Sequence, residues 1–360
     1  VRTWEEPGGI GVYTRSIVPN LLAIDRKNEY ILFSQNSALK GRFPQYENVR
    51  EIYIPSKNKL IWDQVTMPWY AQKEGVDVIF HTKFSIPLLS PKKTVMVLHG
   101  TERFFYSDFH PKTDRVFFRT IYPQYLKRAS AILAVSERAR HDIIDKLYIN
   151  PGKIKTVHLA VDPIFRVIKD EAFLNNIRKF YHLPKEFIIY VGHIYPGKNL
   201  GRLFQAFARV RKEHDVILVI AGSKRWKFEE DLNLIKKLGI EGHVQLLGHV
   251  RHEHLVGLYN LAKMTAFPSY YESFPAIPLE ANACGCPVVT SNTGGTPESA
   301  GNAAVYVNPL DVGEIADGML RVLTDEDLRK DLIQKGFKNV QRFSWQKTAR
   351  KTLKVLKSLV

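Results

Sequence analysis

The stretch FIIYVGHIYPGKNLGRLFQAFARVRKEHDVILVIAG (187–222) holds the key to the fold. It begins with an apolar run, breaks at Gly192, takes up helical spacing and ends in a second apolar run. The runs are continuous rather than alternating, the mark of strands buried on both faces of a parallel sheet. Strand, helix and strand in succession make a right-handed βαβ unit. Working outward, similar runs occur at 244–248, 265–269, 287–291 and 303–307, and toward the N-terminus at 30–34, 50–55, 77–82, 94–100, 131–136 and 155–159. Two sets of about six strands predict an α/β fold of two doubly wound domains. The polar stretch AVDPIFRVIKDEAF (160–173) predicts the boundary. The first domain is expected over 1–165 and the second over 166–344, with a basic amphipathic helix at the end of the chain, SWQKTARKTLKVLKSL (344–359). The chain opens at Val1 beside a Gly-rich turn, where a doubly wound domain calls for a preceding strand.

Composition narrows the function. The 360 residues are 45% hydrophobic and 24% charged, as in ordinary globular proteins, with no apolar run near the roughly 20 residues of a membrane span. Net charge is +16; divided at Phe165 it is +8 on each side, so the basic excess reads as spread along the chain. No helix-turn-helix, zinc or RNA-recognition pattern accompanies it, and nucleic acid is not expected as a partner. Cys284 and Cys286, one residue apart, read as reduced structural thiols of a cytoplasmic protein.

Open α/β sheets bind ligands at the carboxyl ends of their strands, where loops feed helix N-termini. Three such loops carry unusual residues. EPGGIGVYTRSIVPNLL (6–22) places Gly8, Gly9 and Gly11 before a helix, which allows close backbone approach to an anion. In YVGHIYPGKNL (190–200), Lys198 stands at a helix start and suits a diphosphate. PSYYESFPAIPLEANACGCPVVTSNTGGTPESAG (268–301) has Glu272 after a strand and Glu280 eight residues on, in a helix expected over 276–283 and stopped by Gly285. Two carboxylates about 12 Å apart, if the span were wholly helical, suit polyols at two ends of one ligand.

The segment 268–309 resembles the donor-binding signature of retaining glycosyltransferases of family 4. GGIGVYTR, FHTKFSIPLL, VLHG, AVSERARHDI, YPGKN, LGHVRHEHLVGLYNLA and FSW follow the family's order. The resemblance implies the GT-B fold: two Rossmann-like domains facing a central cleft, the first for the acceptor, the second for the nucleotide-sugar donor, and the last helix (345–360) packing back on the first. It implies metal-independent transfer of a hexose from a UDP- or GDP-sugar, with anomeric retention and no cofactor. Glu272, His99 and Lys198 would be the catalytic residues. Lys198 would take the diphosphate, Glu272 the sugar hydroxyls and Glu280 the ribose. Ser273, Phe274, Ala276 and Ile277 would lie near sugar and phosphate, Gly248–His249–Val250 near the base, and Gly9 and Gly11 would approach the phosphates from the other domain. His193 and Gly197 stand where the family often has Arg, and Pro275 where Gly is common and an N–H would otherwise be offered. The acceptor is expected to be a glycan, lipid-linked or small molecule. The aromatic and basic segment 99–128 is a candidate for peripheral contact with the inner face of the membrane. A GT-B epimerase or phosphorylase, and a basic nucleic-acid-binding protein, are the alternatives.

Overall fold

The computed structural model describes residues 1–6 and 8–360. Among the described residues twelve strands form, one in each of the expected runs: β1 Tyr30–Ser34, β2 Val49–Tyr53, β3 Val78–His81, β4 Lys93–Leu98, β5 Ala131–Ala134, β6 Ile154–Thr156, β7 Phe187–Val191, β8 Ile217–Ala221, β9 Val244–Gly248, β10 Met264–Phe267, β11 Val288–Ser291 and β12 Val305–Val307. Every pairing is parallel. The chain divides into two compact units. One comprises Val1–Phe104, Lys112–Leu159 and Phe343–Val360; the other comprises Phe105–Pro111 and Ala160–Arg342. The division falls at Leu159/Ala160, a few residues before the expected 165/166.

The second unit is a single sheet in the order β12-β11-β10-β7-β8-β9. Because strand side chains alternate between faces, β7 supplies two cores at once. Ile188 and Tyr190 pack with Leu203, Phe204 and Phe207 of the helix Leu200–Glu213 and with Met319 of the helix Val312–Thr324. Phe187, Ile189 and Val191 pack on the opposite side with Ile177, Val256 and Tyr259. Such fully buried side chains each contribute on the order of 1.5–3 kcal/mol of apolar transfer energy. Both cysteines are buried here as free thiols, and burial pushes Cys286 up to about 12, so neither is a reactive thiolate near neutral pH.

The first unit departs from the expected six-stranded sheet. β3-β4-β5-β6 form one sheet, and β1-β2 form a separate ribbon. A cavity of about 490 Å³ lies between them, lined by Tyr30–Phe33, Val78–His81, Leu353 and Leu356. The last helix, Trp345–Lys357, belongs to this unit. Ser344 caps it by accepting from the Lys347 amide, the Thr348 hydroxyl donates to the His158 carbonyl, and Trp345 meets Tyr13 edge-on at 5.9 Å.

That returning helix changes the charge reading. The first unit carries 29 Lys and Arg against 14 Asp and Glu, net +15; the second carries 23 against 22, net +1. The excess is concentrated, not spread. A division at Phe165 leaves the five cations of 343–360 with the second half of the chain, although they join the first unit.

Candidate donor site

In the second unit the chain runs from β7 outward to β8 and β9, then returns to place β10 on the other side of β7. The gap between β7 and β10 is the topological switch point, where open parallel sheets bind ligands. The loops leaving these two strands carry Lys198 and Glu272.

After β7 a short 3₁₀ turn, Pro196–Lys198, leads into the helix Leu200–Glu213. Asn199 joins them in the left-handed conformation (φ 62°) and is buried. Its side-chain amide donates to the carbonyls of Pro268 (2.8 Å) and Pro309 (2.7 Å), which ties the β7 loop to the loops following β10 and β12. Lys198 is thereby held with its ammonium 2.5 Å from Glu272 Oε1, and 5.3 Å and 5.7 Å from the ring centres of Phe267 and Tyr195. Both partners of the ion pair are largely shielded, with side chains 14% and 17% exposed, so the attraction is screened less than at an open surface.

Glu272 is fixed from behind. Its carbonyl accepts from the Gly295 amide at 2.7 Å, and Thr293 donates its hydroxyl to the Tyr270 carbonyl. Gly294 adopts φ +62°, and a Cβ there would lie 2.4 Å from the Glu272 carbonyl oxygen, so this turn admits only glycine. Ser273 and Phe274 are buried beside it, while Ala276 and Ile277 are half-buried. The helix runs Ile277–Ala283, starting one residue later than expected. The span from Glu272 to Glu280 is therefore not wholly helical, and a uniform helical rise does not measure their separation.

Glu280 is more than a surface acid. Tyr259 donates its hydroxyl to Glu280 Oε2 at 2.9 Å. Part of the side chain is accessible, yet burial of the carboxyl pushes it up to about 7, against the pull of the Tyr259 hydrogen bond; Asp162 adds to the rise. His193 is half-buried, and desolvation, then the positive charges of Arg225 and Lys198, lower its basicity, so it is neutral at pH 7. His249 is close enough to contribute to that lowering. Of the expected base-binding loop, Gly248 and His249 are exposed, whereas Val250 is buried in the core.

The remaining expected residues lie in the first unit. A helix spans Gly9–Ile24 with no side-chain cap. Gly9 has open space at its Cβ position, while a Cβ on Gly11 would sit 1.8 Å from the Glu6 carbonyl oxygen. His99 follows β4, with Nε2 2.8 Å from the Thr82 carbonyl and its ring edge-on to Tyr13 at 5.0 Å. Burial lowers it to about 4, so the ring is neutral and Nε2 carries the proton that Thr82 accepts.

The aromatic segment 99–128 is not a lipid-facing surface as a whole. Phe118, Tyr122 and Tyr125 are buried, and Phe104 stacks on Tyr122 at 5.8 Å. Phe105 and Phe109 belong to the second unit, where they meet Tyr271 at 5.1 Å and Tyr270 at 5.2 Å, beside Glu272. The roles of Asn199, Tyr259 and Gly294 were not assigned from the sequence. All three lie in recognised motifs, but their partners are 21 to 110 residues away in the chain.

Residues 7–165 match the model of Glycosyltransferase Family 4, and residues 175–339 match that of Glycosyl transferases group 1. The chain is 28% identical to O-antigen chain mannosyltransferase B of Escherichia coli over 369 residues, covering 98% of this chain and 96% of that protein. It is 32% identical over 241 residues to the serotype-specific mannosyltransferase WbdA of the same species, covering 64% of this chain and 29% of WbdA. Among solved structures, Anabaena Alr3699/HepE in complex with UDP-glucose superposes with a TM-score of 0.75 at 18% identity, covering 98% and 97% of the two chains. The fold is GT-B.

Proposed function

Because the chain belongs to the family 4 glycosyltransferases, we propose that it moves a hexose from a nucleoside diphosphate to a hydroxyl of a glycan or lipid-linked acceptor, with retention at the anomeric carbon. The observation that carries this reading is the Lys198–Glu272 pair at the switch point. The ammonium and the carboxylate, 2.5 Å apart, neutralise each other. A donor diphosphate offers Lys198 a stronger anionic partner, and the Glu272 carboxylate is then released to accept hydrogen bonds from sugar hydroxyls. Binding and activation are thus one exchange of partners. Lys198 stabilises the negative charge that grows on the departing diphosphate, the part a divalent cation plays in other transferases, and the chain needs no cofactor. Glu280, braced by Tyr259, takes the ribose hydroxyls. The sugar assigned is mannose, in line with the two mannosyltransferase relatives.

A thermal-shift screen against GDP, UDP, ADP and their sugars tests the site, since a ligand that binds only the native state raises its melting temperature. One nucleoside diphosphate is expected to shift wild type and to lose that shift in Lys198→Ala. An equal shift in the variant would remove Lys198 from the site, and a product with inverted anomeric configuration by NMR would remove retention.

A further inference from the structure

We propose that a cavity of the second unit, beside the turn that carries Lys198, binds a neutral hexopyranose residue of a glycan. The cavity measures about 330 Å³ and is walled by the start of the helix Leu200–Glu213, the start of the helix Glu229–Lys237, the loop after β10 and Phe109. That volume is at the small end for a small-molecule site. It stands on the opposite side of the sheet from Glu280. Leu203 and Ile235 of its two helices pack in the core that contains Tyr190, whereas Tyr259 and Ala281, beside Glu280, pack in the core that contains Ile189. A ligand with its ribose toward Glu280 leaves this other side unused.

One wall is aromatic. Tyr270 and Phe109 line the cavity with their ring centres 5.2 Å apart, and Tyr106 stacks on Phe109 at 5.4 Å with the planes 4° apart. Both lining rings are half-buried, so each keeps part of its surface uncovered. Tyr270 is held at two points: its amide donates to the Gly197 carbonyl at 3.3 Å, and Arg202 donates to its hydroxyl. One face of a hexopyranose is a patch of C–H groups, which the negative face of an aromatic ring attracts. The platform stands ready before the sugar arrives, which lowers the cost of binding.

The remaining wall is polar and its charges cancel, Arg202 and Lys227 against Glu230 and Asp231. An anion would meet two carboxylates there and a cation two positive groups, whereas a neutral polyol meets neither penalty. Arg202 directs Nε to the Leu310 carbonyl at 3.2 Å and Nη1 to Tyr270, and its Nη2 has no partner among the described residues. Asp231 is hydrogen-bonded by the Gly201 backbone, while its Oδ2 is shielded and has no partner among the described residues. Orphaned polar atoms of that kind are rare in folded proteins and call for a ligand or a water. Gln205 adds an exposed carboxamide, donor and acceptor at once. Guanidinium, carboxylate and carboxamide are planar groups that can each pair with two adjacent hydroxyls. That the sugar belongs to the acceptor glycan rests on the proposed transfer reaction; the binding of a neutral pyranose does not.

Saturation-transfer NMR and isothermal titration of the full chain with mannotriose test it. Wild type is expected to bind the trisaccharide, and inorganic phosphate is expected not to displace it. Asp231→Asn should weaken binding about tenfold and Gln205→Ala about threefold, the range for hydrogen bonds to charged and neutral groups. Phe109→Leu, which keeps an apolar side chain but removes the ring, should weaken it about fivefold. Glu280→Gln, on the other face of the sheet, should stay within about twofold. Circular dichroism melts confirm that each variant is folded, and the exposed position of Gln205 leaves the core untouched in that variant. Absence of saturation transfer in wild type overturns the proposal. So does wild-type affinity in folded Asp231→Asn and Gln205→Ala, or displacement of the sugar by phosphate. The nucleoside diphosphate shift in Lys198→Ala reports on the donor site alone, so failure there and failure here are read separately.

Discussion

The two units share parallel α/β architecture and differ in what surrounds it. The second is one continuous six-stranded sheet, nearly neutral, with its distinctive chemistry concentrated in the loops leaving β7 and β10. The first has a four-stranded sheet and a separate two-stranded ribbon, and carries almost all of the net charge. The difference teaches that strand patterning sets the layers, while loop chemistry and surface charge decide what each layer can hold. On the proposed reading, the nearly neutral unit exchanges its internal Lys198–Glu272 pair for a contact between Lys198 and the donor diphosphate.

The sharpest way to break this division is to compare Lys198 with His99. Lys198→Ala is expected to lower kcat by about 10²–10³-fold, the cost of removing one preorganised charge from a developing oxyanion. It should also weaken nucleoside diphosphate binding more than tenfold. His99 is neutral and its Nε2 proton is committed to Thr82, so His99→Ala should leave that affinity within about twofold. Isothermal titration with the nucleoside diphosphate separates them, and comparable losses in both variants would extend donor recognition to the first unit.

A smaller effect sharpens the picture within the second unit. If Glu272 competes with the diphosphate for Lys198, then Glu272→Gln should bind the bare nucleoside diphosphate about three- to tenfold tighter while losing sugar transfer. Weaker nucleotide binding in that variant would show that the pair is a structural brace instead.

The smallest effect concerns Glu280. Its carboxyl holds its proton up to about pH 7 in the folded chain, against an ordinary value of 4.5. Between those values the folded state binds more protons than the unfolded state, so stability declines as pH rises from about 4.5 to 7. Glu280→Gln should melt with wild type near pH 4.5 and a few degrees above it at pH 8. Parallel melting curves across that range would mean that Glu280 ionises normally.

Much of this was legible in the chain itself. The central strands such as β7, β10 and β11 fall where the apolar runs stand, because a strand buried on both faces must be apolar at nearly every position; the edge strands β2 and β9 are only partly covered. Lys198 and Glu272 were identifiable because a cation at a helix start and an acid after a strand are local features with a resemblance behind them. The split sheet of the first unit was not legible, since pairing partners are not encoded in a strand's own hydrophobicity. The fate of the 99–128 aromatics was equally hidden: Phe118 and Val116 are two residues apart, yet one is buried and the other open.

Sequence alone determined the alternation of strand and helix, the two-part plan and the residue types offered at each strand end, because these depend on neighbours a few positions away. Only the tertiary structure decided that Lys198 meets Glu272 across 74 residues, that burial holds the Glu280 proton against the pull of the Tyr259 hydrogen bond, and that the final basic helix adds its charge to the first unit. Those outcomes depend on which distant surfaces are desolvated against each other, and desolvation is a property of the packed molecule rather than of any segment of it.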